Sequence, residues 1–483
     1  MRAPAKRQSR IPPPILCARL GPHVRLETDG TGQLVAAVHG YSVSLGAFSS
    51  ALVGRLHDLR TGVPLASFAA AKRKNERELE LLLRRLAQRG LLEYCFRRSL
   101  NREDLVVIEP QTADYWPEKA RLDQADVLAL SRFAYMRRRG NEMVLESPRA
   151  AALFRICDPA IAAAIAAMSA PRSIRQLARE RTFPGIELLA LLVDCQIVFK
   201  TSKNSGLRQN EGDHNLVFWD FHDLLFHARS TEGRQANPLG GTYPHIGSAS
   251  PLPAVRPPWA GKKIDLRDLS AAANENSPFT RLLHERHSTR VFDSQKPITI
   301  AELSRFLEST ARVLSTWKTE TEDGPSVTYT ARPYPSAGAS YELELYLAVG
   351  ECDGLARGFY HYDAEEHALV AISVRSAEFE ALLAQARFAM DAPASPQVLI
   401  VITARFGRMS WKYSGLAYAL ILKNVGVLTQ TFYLMATDME LGGCAIGIVN
   451  IDLFAKMTGI EFHIEGPVGQ FALGRRSASD VSN

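Results

Sequence analysis

The chain has 483 residues, which is too many for one hydrophobic core and predicts two or three domains. Its hydrophobic content of 46% and charged content of 22% are those of globular proteins and exclude wholesale disorder. The formal net charge of +6, from 57 basic and 51 acidic residues, is too small to indicate nucleic-acid binding by itself.

The cysteines and the first residues predict a cytoplasmic protein without a metal site. None of the six cysteines belongs to a CxxC pair or to a cysteine–histidine cluster with zinc spacing, so we expect reduced thiols. The start, MRAPAKRQSRIPPPILCARL, is basic but lacks an apolar core of signal-peptide length. Charged and amide side chains interrupt the most apolar stretch, residues 415–449, so we predict a buried helix and no membrane span. The cysteines are Cys17, Cys95, Cys157, Cys195, Cys352 and Cys444.

Two related units are predicted in the first 210 residues. Short strands such as VRLE and QLVAAV precede a helical region over residues 49–89, which ends in NERELELLLRRLAQRG with its leucines on one face. Gly90 is placed as the left-handed cap of that helix, and LLEYCF follows as a strand. Helix, turn, helix and strand recur in SIRQLARE, TFPG, IELLALLVDC and QIVFK, which is the order of a winged helix-turn-helix. We therefore predict winged-helix-like domains over residues 1–125 and 126–210.

The composition of these units argues against DNA binding. A recognition helix needs Arg, Lys, Asn or Gln side chains aimed at base edges. IELLALLVDC is apolar and acidic, and AKRKNERE is basic only at its start. We therefore expect either a structural module or one that holds a peptide by adding it as a strand to a sheet edge.

A linker and arm are predicted over residues 211–280, because residues 228–262 are rich in proline and glycine. Just before this stretch, WDFHDLLFHARS places His222 and His227 five residues apart. A metal-binding pair on a helix is usually four apart, so we expect packing or capping roles for both histidines.

Residues 281–483 alternate between helices and strands and predict an α+β domain with a mixed or antiparallel sheet. AELSRFLEST and SAEFEALLAQA predict helices, and YELELYLAVG, GFYHYD and QVLIVITARF predict strands. A long helix is expected from about residue 414 to 439, followed by a closing strand in FHIEGPVGQFALG.

Four segments of this domain carry candidate ligand-binding residues. RHSTR, residues 286–290, combines two guanidinium groups with a hydroxyl, which suits a phosphate. PSAG is a tight turn of small residues that lets the backbone approach a planar ligand. ELGGCAIG, residues 440–447, is interpreted as the end of the long helix, where its glycines can present backbone N–H groups to a ring system. GRR, residues 474–476, offers further arginines for a phosphate. The candidate residues are Arg286, His287, Ser288, Arg290, Pro335, Ser336, Ala337, Gly338, Gly442, Gly443, Arg475 and Arg476.

In this order, the four segments resemble the nitroreductase-like flavin fold and specifically the SagB-type dehydrogenases. The resemblance spans about residues 281–478, is most specific in RHSTRVF, RPYPSAGASYELELYLAV, GFYHYDAEEHALV and EGPVGQFALGR, and extends upstream to FHDLLFHARSTEGR. It implies bound FMN and a homodimer whose active sites lie across the subunit interface. By matching position, RHSTR would hold the phosphate, PSAG would lie along the isoalloxazine, and the glycine pair would lie near its redox edge.

Lys412 and Tyr413, in MSWKYSGLAY, are the candidate catalytic residues. Lysine is unusual at a helix start, because the positive end of the helix dipole disfavours it. In the azoline-oxidising branch of the family, a Lys-Tyr pair at this position is the catalytic motif. The resemblance therefore implies dehydrogenation of a thiazoline or oxazoline in a ribosomally made precursor peptide. One residue of the pair would take a proton and the other would orient it, and either can be the base.

The resemblance also implies partners for this reaction. The N-terminal winged-helix-like units would grip the leader of the precursor peptide, and a cyclodehydratase is the expected partner enzyme. Reduced FMN would be reoxidised by dioxygen, because the chain has no GxGxxG motif for a nicotinamide. Two alternatives stay open: an NAD(P)H-dependent nitro or quinone reductase, and a non-catalytic peptide- or DNA-binding protein with a vestigial flavin fold.

Overall fold

The computed structural model describes residues 14–38, 41–65, 74–99, 103–180, 183–202, 208–236, 239–266, 277–321 and 324–477. The chain forms two compact units, Met1–Ala236 and Asn237–Asn483. Both combine helices with antiparallel sheets, which confirms the predicted α+β class.

The first unit is rich in β-structure. Its strands are β1 (Ile15–Leu20), β2 (Val24–Thr28), β3 (Leu34–Val38), β4 (Tyr41–Gly46), β5 (Val63–Pro64), β6 (Leu92–Arg97), β7 (Asp104–Pro110), β8 (Val127–Leu130), β9 (Tyr135–Arg139), β10 (Glu142–Glu146), β11 (Ala152–Ile156), β12 (Arg172–Ser173) and β13 (Val198–Thr201). Its helices are α1 (Ser50–Val53), α2 (Asp58–Thr61), α3 (Lys74–Ala87), α4 (Pro159–Ala166), α5 (Ile174–Leu177), α6 (Ile186–Asp194) and α7 (Phe221–Arg229).

A seven-stranded sheet contains strands from most of this unit, in the order β5-β1-β6-β7-β11-β10-β9. Two three-stranded sheets, β2-β3-β4 and β12-β8-β13, complete it. Because β7 pairs with β11, the large sheet crosses the predicted boundary at residue 126, and a single apolar core extends from Leu16 to Val198. The division into domains 1–125 and 126–210 therefore stays a prediction.

Several local predictions for this unit are confirmed. The leucine face of α3 is buried, and Gly90 has a left-handed φ of 64°. The order α5, α6 and β13 matches the predicted helix, helix and strand, and α5 begins with a capping box formed by Ser173 and Gln176. The helical region expected over residues 49–89 contains α1, α2 and α3, but β5 interrupts it and pairs with β1. Residues 66–73 of that region lie outside the described residues.

The two histidines of the WDFHDLLFHARS segment differ in environment. His227 is fully buried on α7 and stacks on Trp219, with ring centroids 5.7 Å apart, which confirms its packing role. His222 is exposed, and ligand atoms of Asp220, His222 and Asp223 lie within 4.8 Å of one another. α7 belongs to the first unit, whereas residues 239–266 contain turns and extended chain without a helix or strand. The boundaries of the predicted linker, 211–280, stay a prediction.

The second unit contains the predicted flavin domain. Its helices are α8 (Pro278–Glu285), α9 (Ile300–Ala311), α10 (Ser376–Ala389), α11 (Phe406–Ser410), α12 (Ala417–Asp438) and α13 (Ile451–Thr458). Its strands are β14 (Ser315–Thr321), β15 (Gly324–Ala331), β16 (Leu343–Val349), β17 (Gly358–Asp363), β18 (Ala368–Ile372), β19 (Val398–Arg405), β20 (Leu441–Ile446) and β21 (Glu465–Arg475). Six strands form an antiparallel sheet in the order β18-β17-β16-β19-β21-β20, and β14 pairs with β15 as a separate hairpin.

Helices cover both faces of the six-stranded sheet. β19 is buried along almost its whole length, as its continuous apolar run predicts. On one face, α10 and α13 pack through Leu383 and Phe454. On the other, Phe306 of α9 and Phe432 of α12 meet Phe471 of β21. α12 is the one helix of the described residues whose length and hydropathy match a membrane span, and 28% of its most apolar window is buried, so the predicted burial holds for one face only.

Candidate functional site

Tyr433 of α12 forms hydrogen bonds with both the RHSTR segment and β20. Arg286 caps the C-terminus of α8, and its guanidinium lies over the Tyr433 ring, 5.1 Å from the centroid. The hydroxyl Oη of Tyr433 accepts a hydrogen bond from the Ala445 N–H at 2.8 Å. The Tyr433 proton is then available for Ser288 Oγ, which lies 2.8 Å away. Arg286 and Ser288 are therefore held together beside Ala445, the exposed residue of β20.

Arg290 also lies close to β20. Thr289 is buried, and its N–H donates to the Gly443 carbonyl at 2.8 Å, which fixes the segment against the strand. Burial raises the pKa of the Cys444 thiol, and the guanidinium of Arg290 opposes that shift, so Arg290 lies near Cys444. His287 is half-buried, with Nδ1 2.9 Å from the carbonyl of Glu285. The structure thus brings the RHSTR side chains to β20, as an anion site requires.

Arg475 and Arg476 have different surroundings. Arg475 forms a two-contact ion pair with Glu302 of α9, at 2.8 and 2.6 Å, so a carboxylate already neutralises it. Arg476 pairs with Phe292 through a β-bridge, which places it next to the RHSTR segment. Its Nη2 makes one long bond of 3.4 Å to the Leu441 carbonyl, whereas the buried Nε of both arginines has no hydrogen-bond acceptor among the described residues. Of the two arginines, Arg476 is better suited to a phosphate.

Gly442 and Gly443 lie inside β20 and not at the end of α12, which corrects the sequence-based placement. They pair with β21, opposite Gly474 and Leu473. A Cβ on Gly442 would lie 2.5 Å from Thr289 Cγ2, and one on Gly443 would lie 2.4 Å from Phe471 Cζ. The glycines therefore let the RHSTR segment and an aromatic ring pack against the strand. Their predicted contact with the flavin stays a prediction.

Gly443→Ala is expected to destabilise the protein by about 2 kcal/mol, because the new methyl group has to displace the buried Phe471 ring. Gly447→Ala is the matched control, since no described atom lies within 4 Å of a Cβ there. The measurement is the denaturant midpoint of unfolding for both variants. Equal midpoints would contradict the packing role of Gly443.

The PSAG turn has an unusual backbone. Gly338, Ala339 and Tyr341 all have positive φ angles, of 59°, 52° and 44°. Only glycine adopts this region without cost, so surrounding contacts have to stabilise the other two residues. One such contact is the bond from the Tyr341 N–H to Ser336 Oγ at 3.0 Å.

A buried polar network holds the turn against α12. The Asn424 side-chain oxygen accepts from the Ala337 N–H at 3.2 Å, and its Nδ2 donates to Ser336 Oγ at 3.2 Å and to Glu342 Oε1 at 2.9 Å. Ser336 Oγ also donates to Glu342 Oε2 at 3.3 Å. Glu342 is fully buried, and desolvation raises the pKa of its carboxyl, an effect that the bonds from Asn424 and Ser336 oppose. The predicted site did not include Asn424 or Glu342.

Lys412 and Tyr413 contact this turn directly. They follow α11, and their backbone N–H groups both donate to the Met409 carbonyl. Lys412 Nζ donates to the Gly338 carbonyl at 2.9 Å. A Cβ on Gly338 would lie 2.2 Å from Tyr413 Oη and 2.7 Å from Lys412 Nζ, so a side chain there would displace the ends of both side chains. The structure therefore brings the predicted catalytic pair and the predicted flavin turn together.

The position of the pair relative to α12 differs from the prediction. α12 begins at Ala417 and not at residue 414, so Lys412 and Tyr413 lie before its first turn. The dipole of α12 is therefore not the main influence on them. Lys412 Nζ instead lies near two aromatic rings, 5.0 Å from the centroid of Tyr329 and 5.6 Å from that of Tyr413.

α12 contacts both the PSAG turn and the RHSTR segment. Asn424 holds the turn and Tyr433 holds the RHSTR segment, nine residues further along. Nine residues of α-helix rise about 14 Å, so one chain presents the two clusters at separate levels of the same helix.

Two family models match the chain. Residues 283–475 match the nitroreductase family, and residues 128–236 match the cyanobactin oxidase ThcOx. The protein MJ1384 of Methanocaldococcus jannaschii, named as a nitroreductase, is 32% identical over 168 residues, which cover 34% of this chain and 76% of that protein. The trifolitoxin-processing protein TfxB of Rhizobium leguminosarum bv. trifolii is 35% identical over 81 residues, which cover 16% of this chain and 22% of TfxB.

Solved structures with a similar arrangement include the E. coli microcin synthetase McbBCD complex with truncated pro-MccB17 bound. Its matching chain is 18% identical, with a TM-score of 0.38, covering 57% of this chain and 100% of that chain. A nitroreductase from Desulfovibrio desulfuricans in complex with FMN is 12% identical, with a TM-score of 0.27, covering 43% of this chain and 91% of that chain.

Proposed function

Because the chain belongs to the nitroreductase family, and to the SagB-type dehydrogenases within it, we propose that it oxidises thiazoline or oxazoline rings in a ribosomally made peptide to thiazole or oxazole. The observation that carries this proposal is the 2.9 Å contact between Lys412 Nζ and the Gly338 carbonyl. It joins the Lys-Tyr pair of the azoline-oxidising branch to the turn expected along the flavin. The name of TfxB, a trifolitoxin-processing protein, supports a peptide substrate.

Flavin is the cofactor of this family, and the residues of the site fit FMN. Arg286, Ser288, Arg290 and Arg476 supply guanidinium and hydroxyl donors for its phosphate. The buried Nε atoms of Arg475 and Arg476 both lack an acceptor among the described residues, and Arg476 is the candidate for a phosphate oxygen because Arg475 is already paired with Glu302. When bound, FMN would supply the acceptor for the hydride that leaves the ring.

The chain's own part in the reaction is removal of the ring proton. Aromatisation removes one proton and one hydride from neighbouring carbons of the azoline. We assign the proton to Lys412 Nζ or Tyr413 Oη, both of which lie at Gly338. The Gly338 carbonyl holds the lysine side chain in place, so its nitrogen does not have to be ordered when the substrate arrives.

The proposal includes the assembly in which this reaction takes place. Since the two clusters lie at different levels of α12, a cytoplasmic homodimer would combine the phosphate cluster of one protomer with the turn of the other. Exposed apolar side chains near and on α12, Leu416 and Val427, support such a contact. The sheet-rich first unit would hold the leader peptide. A cyclodehydratase has to supply the azoline, because the ring forms by loss of water from a Cys, Ser or Thr residue.

The test of the proposed function uses the purified full chain and a synthetic peptide that contains one thiazoline. We expect bound FMN, loss of two hydrogens from the peptide by mass spectrometry, and consumption of dioxygen. A protein that stays colourless after incubation with FMN would overturn the cofactor assignment. A yellow protein that leaves the peptide unchanged would overturn the reaction.

NAD(P)H-dependent nitro or quinone reduction is the second candidate, favoured by the match to MJ1384 over 168 residues. Rapid bleaching of the flavin by NADH, without oxidation of the thiazoline peptide, would support it. Bleaching only by the thiazoline peptide would exclude it.

Arg476→Ala is expected to raise the Kd for FMN more than tenfold, because it removes a charge-assisted bond worth about 1.5–3 kcal/mol. Arg475→Ala, the matched control, should leave the Kd for FMN near the wild-type value. It should instead lower the stability by about 1 kcal/mol through loss of the Glu302 ion pair. The measurements are flavin fluorescence titration and thermal unfolding of both variants. A larger loss of FMN affinity in Arg475→Ala would reverse the assignment.

A further inference from the structure

The β14–β15 hairpin has an aromatic face next to the catalytic pair. Trp317 and Tyr329 are directly opposite in the strand register and therefore lie on the same face. Their rings stack, with centroids 5.9 Å apart and planes 22° apart. Lys318 and Thr328 form the neighbouring pair and lie on the opposite, polar face. The hairpin is thus amphipathic.

Arg408 of α11 fixes the hairpin beside the PSAG turn. Its Nη2 donates to the Thr328 carbonyl at 2.9 Å, and its Nε donates to the Ser340 carbonyl. Because an isolated two-stranded hairpin is only marginally stable in water, these bonds help to fix its position. They hold the Tyr329 ring 5.0 Å from Lys412 Nζ. The aromatic face is therefore adjacent to Lys412 Nζ, one of the two atoms to which the ring proton is assigned.

This face is open to solvent in one chain. Trp317 is 43% exposed and Trp411, which precedes Lys412, is 51% exposed. Large aromatic side chains at such exposure indicate a binding surface when they surround a functional group. Because the Tyr329 ring lies 5.0 Å from Lys412 Nζ, a ligand on this face reaches the proposed catalytic pair, which favours the substrate peptide as its occupant.

We propose that Trp317 and Tyr329 form a platform on which the substrate peptide stacks, with its azoline ring or the neighbouring side chain next to Lys412. This inference rests on the proposed function, which identifies the ring as an azoline. The hairpin contacts determine where the platform lies. Planar five-membered rings bind aromatic faces without directional hydrogen bonds, so the platform accepts thiazoline and oxazoline alike. Trp317 is then a residue for substrate binding and does not take part in proton transfer.

The experiment compares Trp317→Ala, Trp317→Phe and Phe388→Ala in the FMN-loaded full chain. Phe388 is an 86% exposed aromatic residue on α10 and is the matched control. The probe is a fluorescein-labelled synthetic peptide with one thiazoline, and the readouts are its Kd by anisotropy together with kcat and KM. Trp317→Ala should raise the Kd and KM about tenfold with kcat nearly unchanged, which corresponds to the loss of one stacking contact. Trp317→Phe should restore most of the affinity, and Phe388→Ala should behave as wild type.

The outcomes separate this inference from the proposed function. Peptide binding that depends on Trp317 without any oxidation would support the platform and overturn the proposed reaction. A wild-type Kd in Trp317→Ala, or absence of peptide binding to the wild-type protein, would overturn the platform. A dissociated dimer with unchanged peptide affinity in Trp317→Ala would identify the surface as a contact between two copies and would also overturn it.

Discussion

Lys412→Ala and Tyr413→Phe are each expected to lower kcat/KM for a thiazoline peptide by about a hundredfold or more, while the protein stays yellow. Both side chains lie at Gly338, where they can act on a ring bound over the PSAG turn. Neither belongs to the RHSTR cluster, so the content of FMN should not change. The measurements are steady-state turnover with the peptide and the flavin absorbance of each purified variant.

Lys412→Arg separates the anchoring of this side chain from proton transfer. Arginine can still donate to the Gly338 carbonyl, but it does not lose its proton in proteins and cannot serve as a base. We therefore expect Lys412→Arg to be as inactive as Lys412→Ala if the lysine takes the proton. Lys423→Ala, which alters an exposed lysine of α12, is the control and should keep wild-type activity. Wild-type turnover in both Lys412→Ala and Tyr413→Phe would overturn the catalytic assignment.

The sequence predicted the parts of this domain that depend on local patterns. The continuous apolar run of QVLIVITARF identified β19, and the helical pattern of AELSRFLEST identified α9, whose capping box joins Thr299 to Glu302. The segments RHSTR, PSAG and WKY were recognisable because their residue types and order are specific. Their neighbours in space were only partly predictable, since Lys412 meets Gly338 across 74 positions of the chain.

The contacts that the sequence did not reveal are long-range. β20 was mistaken for a helix end because Gly442 and Gly443 resemble a cap, and only their closeness to Thr289 and Phe471 explains them. Asn424 was recognised as polar within an apolar helix, but its bond to Glu342 is formed 82 positions away in the chain. The sheet of the first unit also joins strands from both predicted winged-helix-like domains. Local periodicity carries no information about such pairings.

Glu342→Ala is expected to lower the free energy of unfolding by about 3 kcal/mol and to weaken activity. It removes the acceptor of Asn424 Nδ2 and Ser336 Oγ in a fully buried place, and each unsatisfied group costs about 1–3 kcal/mol. Asn424 and Ser336 would then stabilise the PSAG turn less. The Gly338 carbonyl, which accepts the Lys412 hydrogen bond, would no longer be held in a fixed position. Chemical denaturation and turnover of the variant measure the two effects.

Glu342→Gln tests the same network through its pH dependence. The folded protein holds the carboxyl proton more tightly than the unfolded chain, because burial raises the pKa of Glu342. As the pH rises above the ordinary pKa of a glutamate, the unfolded state releases this proton first, so the contribution of Glu342 to stability falls. Glutamine stays neutral and keeps an acceptor for Asn424. The free energy of unfolding of Glu342→Gln relative to wild type should therefore increase as the pH rises above about 4, the ordinary pKa of a glutamate, until the folded protein also releases the proton.

The comparison between the two substitutions decides what the carboxyl does. If its role is to position the turn, Glu342→Gln should retain most of the turnover and Glu342→Ala should not, at a pH where both variants are folded. The content of FMN in Glu342→Gln should equal that of wild type. A stability difference between glutamine and wild type that is constant with pH would show that the carboxyl has the same pKa in both states. Loss of turnover in Glu342→Gln, with normal stability and FMN content, would show instead that the ionised carboxylate is required for the reaction.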